Sequence, residues 1–128
     1  MIDLERVDHL VLTVGSLEKT IEFYTRVLGM KEVTFGEGRK ALAFGSHKIN
    51  LHQAGREFEP KAEAPTPGSA DLCLIARTPM TEVLAHLAAQ GVEPLFPPSP
   101  RSGALGPIES VYLRDPDGNL IEISNYPG

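Results

Sequence analysis

The stretch DHLVLTVGSLEKTIEFYTRVLG, residues 8–29, decides the fold, because ADLCLIARTPMTEVLAHLAAQG, residues 70–91, repeats its pattern. Each copy opens with apolar residues in alternation, which predicts a strand. Each then continues with apolar residues at helical spacing. Gly29 and Gly91 are predicted to end the two helices, since glycine adopts the left-handed conformation without strain. The chain therefore contains two strand–helix units of the same length.

Three strand-like segments follow each helix. The predicted strands are 31–36, 40–45 and 48–53 after the first helix, and 92–96, 109–114 and 119–125 after the second. Asp115 to Gly118 predicts a tight turn into the last strand. Residues 97–107 predict an irregular loop, because they are rich in proline and glycine. Ser16 is predicted to cap the first helix, and Thr78 to cap the second with Pro79 in its first turn.

The resulting organisation is βαβββ, linker, βαβββ. We predict one α+β domain over residues 1–128, with a first module at about 5–55, a linker at 56–69 and a second module at about 70–126. Proline, glycine, alanine and charge dominate the linker. The alternative is an ordinary α+β domain whose internal repeat is accidental.

Composition restricts the function classes. The net charge of −5 argues against nucleic acid as a partner, because phosphates require a basic surface. No apolar run approaches the roughly 20 residues that a membrane span needs. Cys73 is the single cysteine and has no internal partner for a disulfide, which is typical of a reducing compartment. We therefore expect a cytoplasmic protein.

One face of each predicted strand is aliphatic, and the other repeatedly carries a metal-capable side chain. His9 and Asp71 are counterparts in the repeat, as are Asn50 and Glu122. Two related halves are expected to bring these four side chains toward one pseudo-twofold axis. Histidine and carboxylate groups that converge can bind a divalent cation. Taken singly, each has a structural reading: a hydrogen-bonded histidine, a turn aspartate or an exposed glutamate.

Three motifs resemble the vicinal oxygen chelate superfamily, which includes glyoxalase I, extradiol dioxygenases and bleomycin-binding proteins. They are DHLVLTV at 8–14, FYTRVLG at 23–29 and DPDGNLIE at 115–122. The stretches RKALAFG (39–45), KINLHQ (48–53) and RSGALGP (101–107) resemble a narrower group, close to glyoxalase domain-containing protein 5 and bacterial virulence-associated proteins.

The resemblance implies a curved eight-stranded cup with helices outside and a metal bound inside by His9 and Glu122. Asp71 stands where enzymes of the superfamily usually carry a second histidine, and Asn50 stands where glyoxalase I has glutamate or glutamine. His52, two residues beyond Asn50 on the same face, is the candidate for the missing imidazole. The expected ion is Mn²⁺, Fe²⁺, Co²⁺, Ni²⁺ or Zn²⁺, because oxygen donors predominate and no thiolate takes part.

The resemblance further implies an enzyme that acts on a small oxygen-rich molecule, of the lyase, isomerase or ring-cleaving oxygenase type. Glu122 is the candidate base, with Asp71 as the alternative. Tyr112 and Arg114 share a strand face and are expected to orient the substrate, and Arg101 on the long loop is expected to close over it. The modules of relatives pair within a chain or across a dimer, so we expect a homodimer. The rival hypothesis is a non-catalytic binding protein of the bleomycin-resistance type.

Overall fold

The chain folds as two units with the same element order, which the computed structural model places at Met1–Pro67 and Gly68–Gly128. All residues from Met1 to Gly128 are described. The first unit contains β1 (His9–Val14), α1 (Leu17–Arg26), β2 (Lys31–Phe35), β3 (Arg39–Phe44) and β4 (His47–Gln53). The second contains β5 (Asp71–Ile75), α2 (Met80–Ala89), β6 (Ser99–Gly103), β7 (Gly106–Arg114) and β8 (Leu120–Asn125). The predicted α+β class and the βαβββ repeat are confirmed.

Each unit builds one four-stranded sheet with the same topology. The strand orders are β1-β4-β3-β2 and β5-β8-β7-β6. The first strand of each unit runs parallel to the last, and the other pairs are antiparallel. A helix connects the first strand to the next one, as a crossover between parallel strands requires. Neither helix is long and apolar enough to span a membrane.

The helix boundaries follow the predicted signals in the first unit and depart from them in the second. Ser16 caps α1, and its side chain accepts a hydrogen bond from the Lys19 amide. The prediction that Thr78 caps α2 is wrong: Pro79 occupies the cap position and no side chain bonds there. The carbonyl of Thr78 instead accepts a hydrogen bond from the Asn125 side chain, which ties the chain before α2 to the end of β8.

The prediction of a strand at 92–96 and an irregular loop at 97–107 is also wrong. The amide of Val92 bonds to the Leu87 carbonyl and closes the end of α2, so the strand begins only at Ser99. A two-residue turn then joins β6 to β7, which begins at Gly106 with a φ of +131°. Pro100 is tolerated because β6 lies at the edge of its sheet.

The predicted turn after β7 is confirmed, and side chains build it. The Asp115 carboxylate accepts hydrogen bonds from the amides of Asp117 and Asn119 and from the Asn119 side chain. The side-chain oxygen of Asn119, Oδ1, in turn accepts from the backbone amide of Ala70, just before β5. At Gly68 a Cβ atom would lie 2.6 Å from the Asp117 carbonyl oxygen, so only glycine fits this approach. The turn therefore aligns the start of β5 with β8.

Each unit has its own core beneath the aliphatic strand faces. In the first unit, α1 contributes buried Phe23 and Tyr24. In the second, α2 contributes Met80, Val83 and Leu87. The buried strand residues are Leu12, Val14, Leu42, Ile49 and Leu51 in the first sheet, and Val111, Leu113, Ile121 and Ile123 in the second. The opposite face of each sheet carries the polar side chains that concern function.

Candidate functional site

The strand registers confirm which side chains are counterparts. His9 pairs with Lys48, two positions before the Val11–Asn50 pair. Asp71 pairs with Leu120, two positions before the Cys73–Glu122 pair. His9 and Asp71 therefore occupy equivalent positions in the two sheets, as do Asn50 and Glu122. Side chains that face each other across paired strands share one face, so each polar face holds two of these four residues.

His9 is presented at the start of β1 by a carboxylate neighbour. Its Nδ1 atom lies 2.8 Å from Oδ2 of Asp8, and its side chain is 42% exposed. The hydrogen bond from His9 lowers the pKa of Asp8, so this carboxylate is held ionised. A carboxylate only accepts hydrogen bonds, which places a ring proton on Nδ1 and makes Nε2 the ring atom that can bind a metal ion.

Glu122 is the centre of a hydrogen-bond network on the second sheet. The hydroxyl of Ser110, on β7, donates to its Oε2 at 2.6 Å, and the hydroxyl of Ser124 lies 3.4 Å from the same oxygen. The two serine oxygens are themselves 2.6 Å apart. Because the Ser110 proton goes to the carboxylate, the Ser124 hydroxyl must donate to Ser110. Both serines are fully buried, and the sequence reasoning missed them; their parity with Glu122 was the available signal.

Cys73 borders this network and is held as a thiol. Its sulfur lies 3.3 Å from the Ser124 hydroxyl. Burial raises the pKa of the Cys73 thiol, and the Glu122 carboxylate raises it further. An uncharged thiol at this position is neither a nucleophile nor a metal-binding thiolate.

Tyr112 faces Glu122 across paired strands, and its phenol is held by an arginine. Nε of Arg101 donates to the Tyr112 hydroxyl at 3.0 Å, and the guanidinium also lies over the Phe96 ring. Arg101 therefore sits in β6 rather than on a mobile loop, which corrects its predicted position. Arg114 shares the face but reaches the Gly118 carbonyl at 3.4 Å. Tyr112 is thus coupled to Arg101 in a way that sequence spacing did not indicate.

His52 occupies an enclosed position on the first sheet. Its Nε2 atom lies 3.4 Å from Nη2 of Arg39, and its ring meets Phe58 edge to face at 5.6 Å. Burial lowers the pKa of His52, and the Arg39 charge lowers it further. The ring is therefore neutral and accepts from the guanidinium. Arg39 and Phe58 were not predicted as site residues; Phe58 belongs to the segment interpreted as a linker.

The four predicted metal ligands divide between the two units. His52 pairs in register with Thr13, four residues from His9 and therefore about 13 Å along the strand. Asp71 lies on β5 two residues from Cys73, the register partner of Glu122. No group of three or more His, Cys, Asp or Glu side chains in this chain is arranged to hold a metal ion. The ligand set stays a prediction.

The fold and these polar faces define the class of protein. The sequence profile of the Glyoxalase/Bleomycin resistance protein/Dioxygenase superfamily matches residues 6–123. The chain belongs to this superfamily, and the predicted family resemblance is confirmed. The superfamily spans glyoxalases, dioxygenases and bleomycin-resistance proteins, so membership admits enzymes and binding proteins alike.

Individual relatives are close. Virulence protein STM3117 of Salmonella typhimurium is 57% identical over 96% of this chain and 85% of its own length. Its crystal structure superposes with a TM-score of 0.97 at 56% identity, covering 98% of this chain and all of that one. Glyoxalase domain-containing protein RDO1 of Mycosarcoma maydis is 54% identical over 98% of this chain and 70% of its own. An integron cassette protein of V. cholerae matches at 54% identity with a TM-score of 0.97, over 99% of both chains.

Proposed function

We propose that this chain is a cytoplasmic, metal-dependent enzyme of the glyoxalase/dioxygenase type that works as a homodimer on a small oxygen-rich substrate. The observation that carries the proposal is the state of His9 and Glu122. In each side chain, a hydrogen bond holds one of the two atoms that could bind a metal ion, which leaves the other atom available. Neighbouring groups usually orient metal ligands in this way. Superfamily membership supports the same reading.

His9 has the arrangement of a metal-binding histidine. Asp8 holds Nδ1 at 2.8 Å, and the exposed ring presents Nε2. A carboxylate behind the ring orients it, fixes the tautomer and strengthens the imidazole as a donor. An ordinary surface histidine has no need of such a partner. We assign His9 as the nitrogen ligand.

Glu122 has the arrangement of a metal-binding carboxylate. Its Oε2 accepts from the buried hydroxyl of Ser110, while Oε1 accepts from neither serine. We assign Glu122 and its neighbour on the same face, Asp71, as the oxygen ligands. His52 is left out of this set, because a cation at its Nε2 would face the Arg39 guanidinium. One imidazole and two carboxylates suit Mn²⁺, Fe²⁺, Co²⁺, Ni²⁺ or an open Zn²⁺ site.

When bound, the ion would supply Lewis-acid stabilisation of negative charge on two neighbouring substrate oxygens. The remaining work falls to residues of the chain. Tyr112, held by Arg101, presents a phenol beside Glu122 and orients the substrate, with Arg114 further along the same strand face. The Glu122 carboxylate would also be the candidate general base. Cys73 stays protonated and does not compete as a nucleophile.

Calorimetric titration of chelator-stripped protein, expressed without a histidine tag, tests the proposal. We expect saturable binding of at least one of the five ions, a loss of 10-fold or more in affinity for His9→Ala and Glu122→Gln, and twice 13.9 kDa by light scattering. The matched controls are His86→Ala and Glu109→Gln, which alter exposed residues. Mixing the two ligand variants reveals in which copy each donor lies, because donors from different copies restore binding. If no ion binds wild-type protein at millimolar concentration, the enzyme proposal fails.

The second candidate is a binding protein that sequesters a small molecule without chemistry. It is favoured because the proposed ligands His9, Glu122 and Asp71 are not assembled as a group of three within one chain. The same calorimetric method, with a small molecule as the titrant, separates the two candidates. A small molecule that binds chelator-stripped and ion-loaded protein with equal affinity supports sequestration. An affinity that depends on the bound ion supports the enzyme.

A further inference from the structure

Two cations on the polar face of the first sheet, Arg39 and Lys48, form no salt bridge with a carboxylate, whereas Lys40 and Lys61 do. Cζ of Arg39 lies 5.2 Å from the centre of the Phe35 ring, and Nζ of Lys48 lies 3.9 Å from it. Both charges therefore flank one aromatic ring. Asp8 interacts with Lys48, and Glu57 acts on His52 beside Arg39. Neither carboxylate forms a salt bridge with these two cations, so both cations keep the capacity to bind a further anion.

The same face contains two buried polar atoms without a hydrogen-bond partner, Nε of Arg39 and Oδ1 of Asn50. Asn50 is only 7% exposed. Leaving such a group unpaired destabilises the fold, so an unpaired atom needs an explanation. The amide oxygen and nitrogen can exchange places by rotation, so Asn50 can offer either an acceptor or a donor.

Strand register places these side chains on one face, and the Phe35 ring brings the two charges near each other. Asn50 and Lys48 alternate along β4 on one face, with His52 next in the series. Arg39 lies opposite His52 on β3, because Lys40 pairs with Leu51. The neutral His52 ring takes one N–H of the guanidinium at 3.4 Å and so fixes its direction. Phe58 lies 4.4 Å from the guanidinium and is 41% exposed, which places an apolar surface beside the charge.

We propose that Arg39, Lys48 and Asn50 form a binding site for the carboxylate group of a small organic molecule. An oxyanion would satisfy the free guanidinium N–H and pair with both cations, and the Asn50 amide would donate once rotated. The Phe35 and Phe58 rings would contact the apolar body of the ligand, which favours an organic carboxylate over inorganic phosphate. The site stands on the first unit alone and goes beyond the proposed metal chemistry.

The test uses full-length protein in chelator, so its outcome is independent of the metal proposal. Benzoate is titrated into ¹⁵N-labelled protein, with benzyl alcohol as the uncharged probe and inorganic phosphate as the inorganic anion. We expect saturable amide shifts for benzoate, centred on β3 and β4, that weaken at high salt. Arg39→Gln should lower benzoate affinity 10-fold or more. Lys40→Gln removes the same charge from the opposite face of β3 and should change the affinity less than twofold.

Arg39→Gln could destabilise the fold, so Lys48→Gln provides a second variant at a half-exposed position, with an expected loss of threefold or more. Three results would overturn the proposal. One is the absence of saturable shifts with millimolar benzoate. Another is equal binding of benzyl alcohol or preferred binding of phosphate. The third is unchanged benzoate affinity in both variants, which would leave Arg39 with only a packing role against Phe58.

Discussion

The hydrogen bond between Ser110 and Glu122 makes a quantitative prediction. Ser110 is fully buried and donates at 2.6 Å to Oε2 of Glu122 while accepting from Ser124. A hydrogen bond to a charged group contributes about 1.5–3 kcal/mol, and a neutral one about 0.5–1.5 kcal/mol. Ser110→Ala removes one of each. Glu122 is half-exposed, which favours the lower end of the charged range. We expect a loss of about 2–3 kcal/mol in the free energy of unfolding.

A double-mutant cycle isolates the charged bond. Glu122→Met removes the acceptor at similar length, and urea unfolding of both single variants and the double variant gives their coupling energy. We expect about 1.5–2 kcal/mol, together with 10–100-fold weaker metal binding in Ser110→Ala alone. Ser102→Ala, at an exposed position, is the control and should be additive with Glu122→Met within about 0.5 kcal/mol. A Ser110–Glu122 coupling below about 0.5 kcal/mol would refute the argument that the serine orients the carboxylate.

Two further predictions follow from burial. Leu12→Ala should lower the free energy of unfolding by about 2–5 kcal/mol because Leu12 is 5% exposed. The adjacent Val11→Ala, on the polar face at 44% exposure, should cost about 1 kcal/mol or less, and equal costs would contradict the assignment of faces. His52 has a lowered pKa in the folded protein, first from burial and then from Arg39, with Glu57 opposing. Below pH 6.5 the unfolded chain therefore binds more protons than the folded protein. As the pH is lowered, the free energy of unfolding should decrease more steeply in wild type than in His52→Gln. If the urea midpoint changed by the same amount between pH 7 and pH 5.5 in wild type and in His52→Gln, this prediction would be contradicted.

Local patterns were enough to predict the repeat and the faces. Alternation along β1 and β4 reports which side chains point the same way, because the period of a strand is two whatever the rest of the fold does. Gly29 and Gly91 end helices through their own backbone freedom, with φ values of +69° and +72°. Because strand periodicity is local, the equivalence of Asn50 with Glu122 could be predicted from the sequence, and the strand register confirms it.

Local patterns failed where distant partners decide the outcome. Residues 99–103 form a strand because they pair with β7 at the edge of the sheet, although their proline and glycine residues disfavour strand structure. Thr78 does not cap α2: Pro79 takes the cap position, and the Thr78 carbonyl accepts a hydrogen bond from Asn125 of β8. Neither contact can be inferred from neighbours in the sequence.

The site divides in the same way. The sequence by itself determined that His9, Asp71, Asn50 and Glu122 are equivalent polar positions on their strands, because that depends on periodicity alone. Only the tertiary structure decided what each of them meets: Ser110 against Glu122, and Arg39 and Phe58 around His52. The physical reason is that a donor's partner, its burial and its proton are set by side chains brought in from other strands. Periodicity predicts which face of the strand a side chain occupies, and tertiary packing determines its hydrogen-bond partners, burial and protonation.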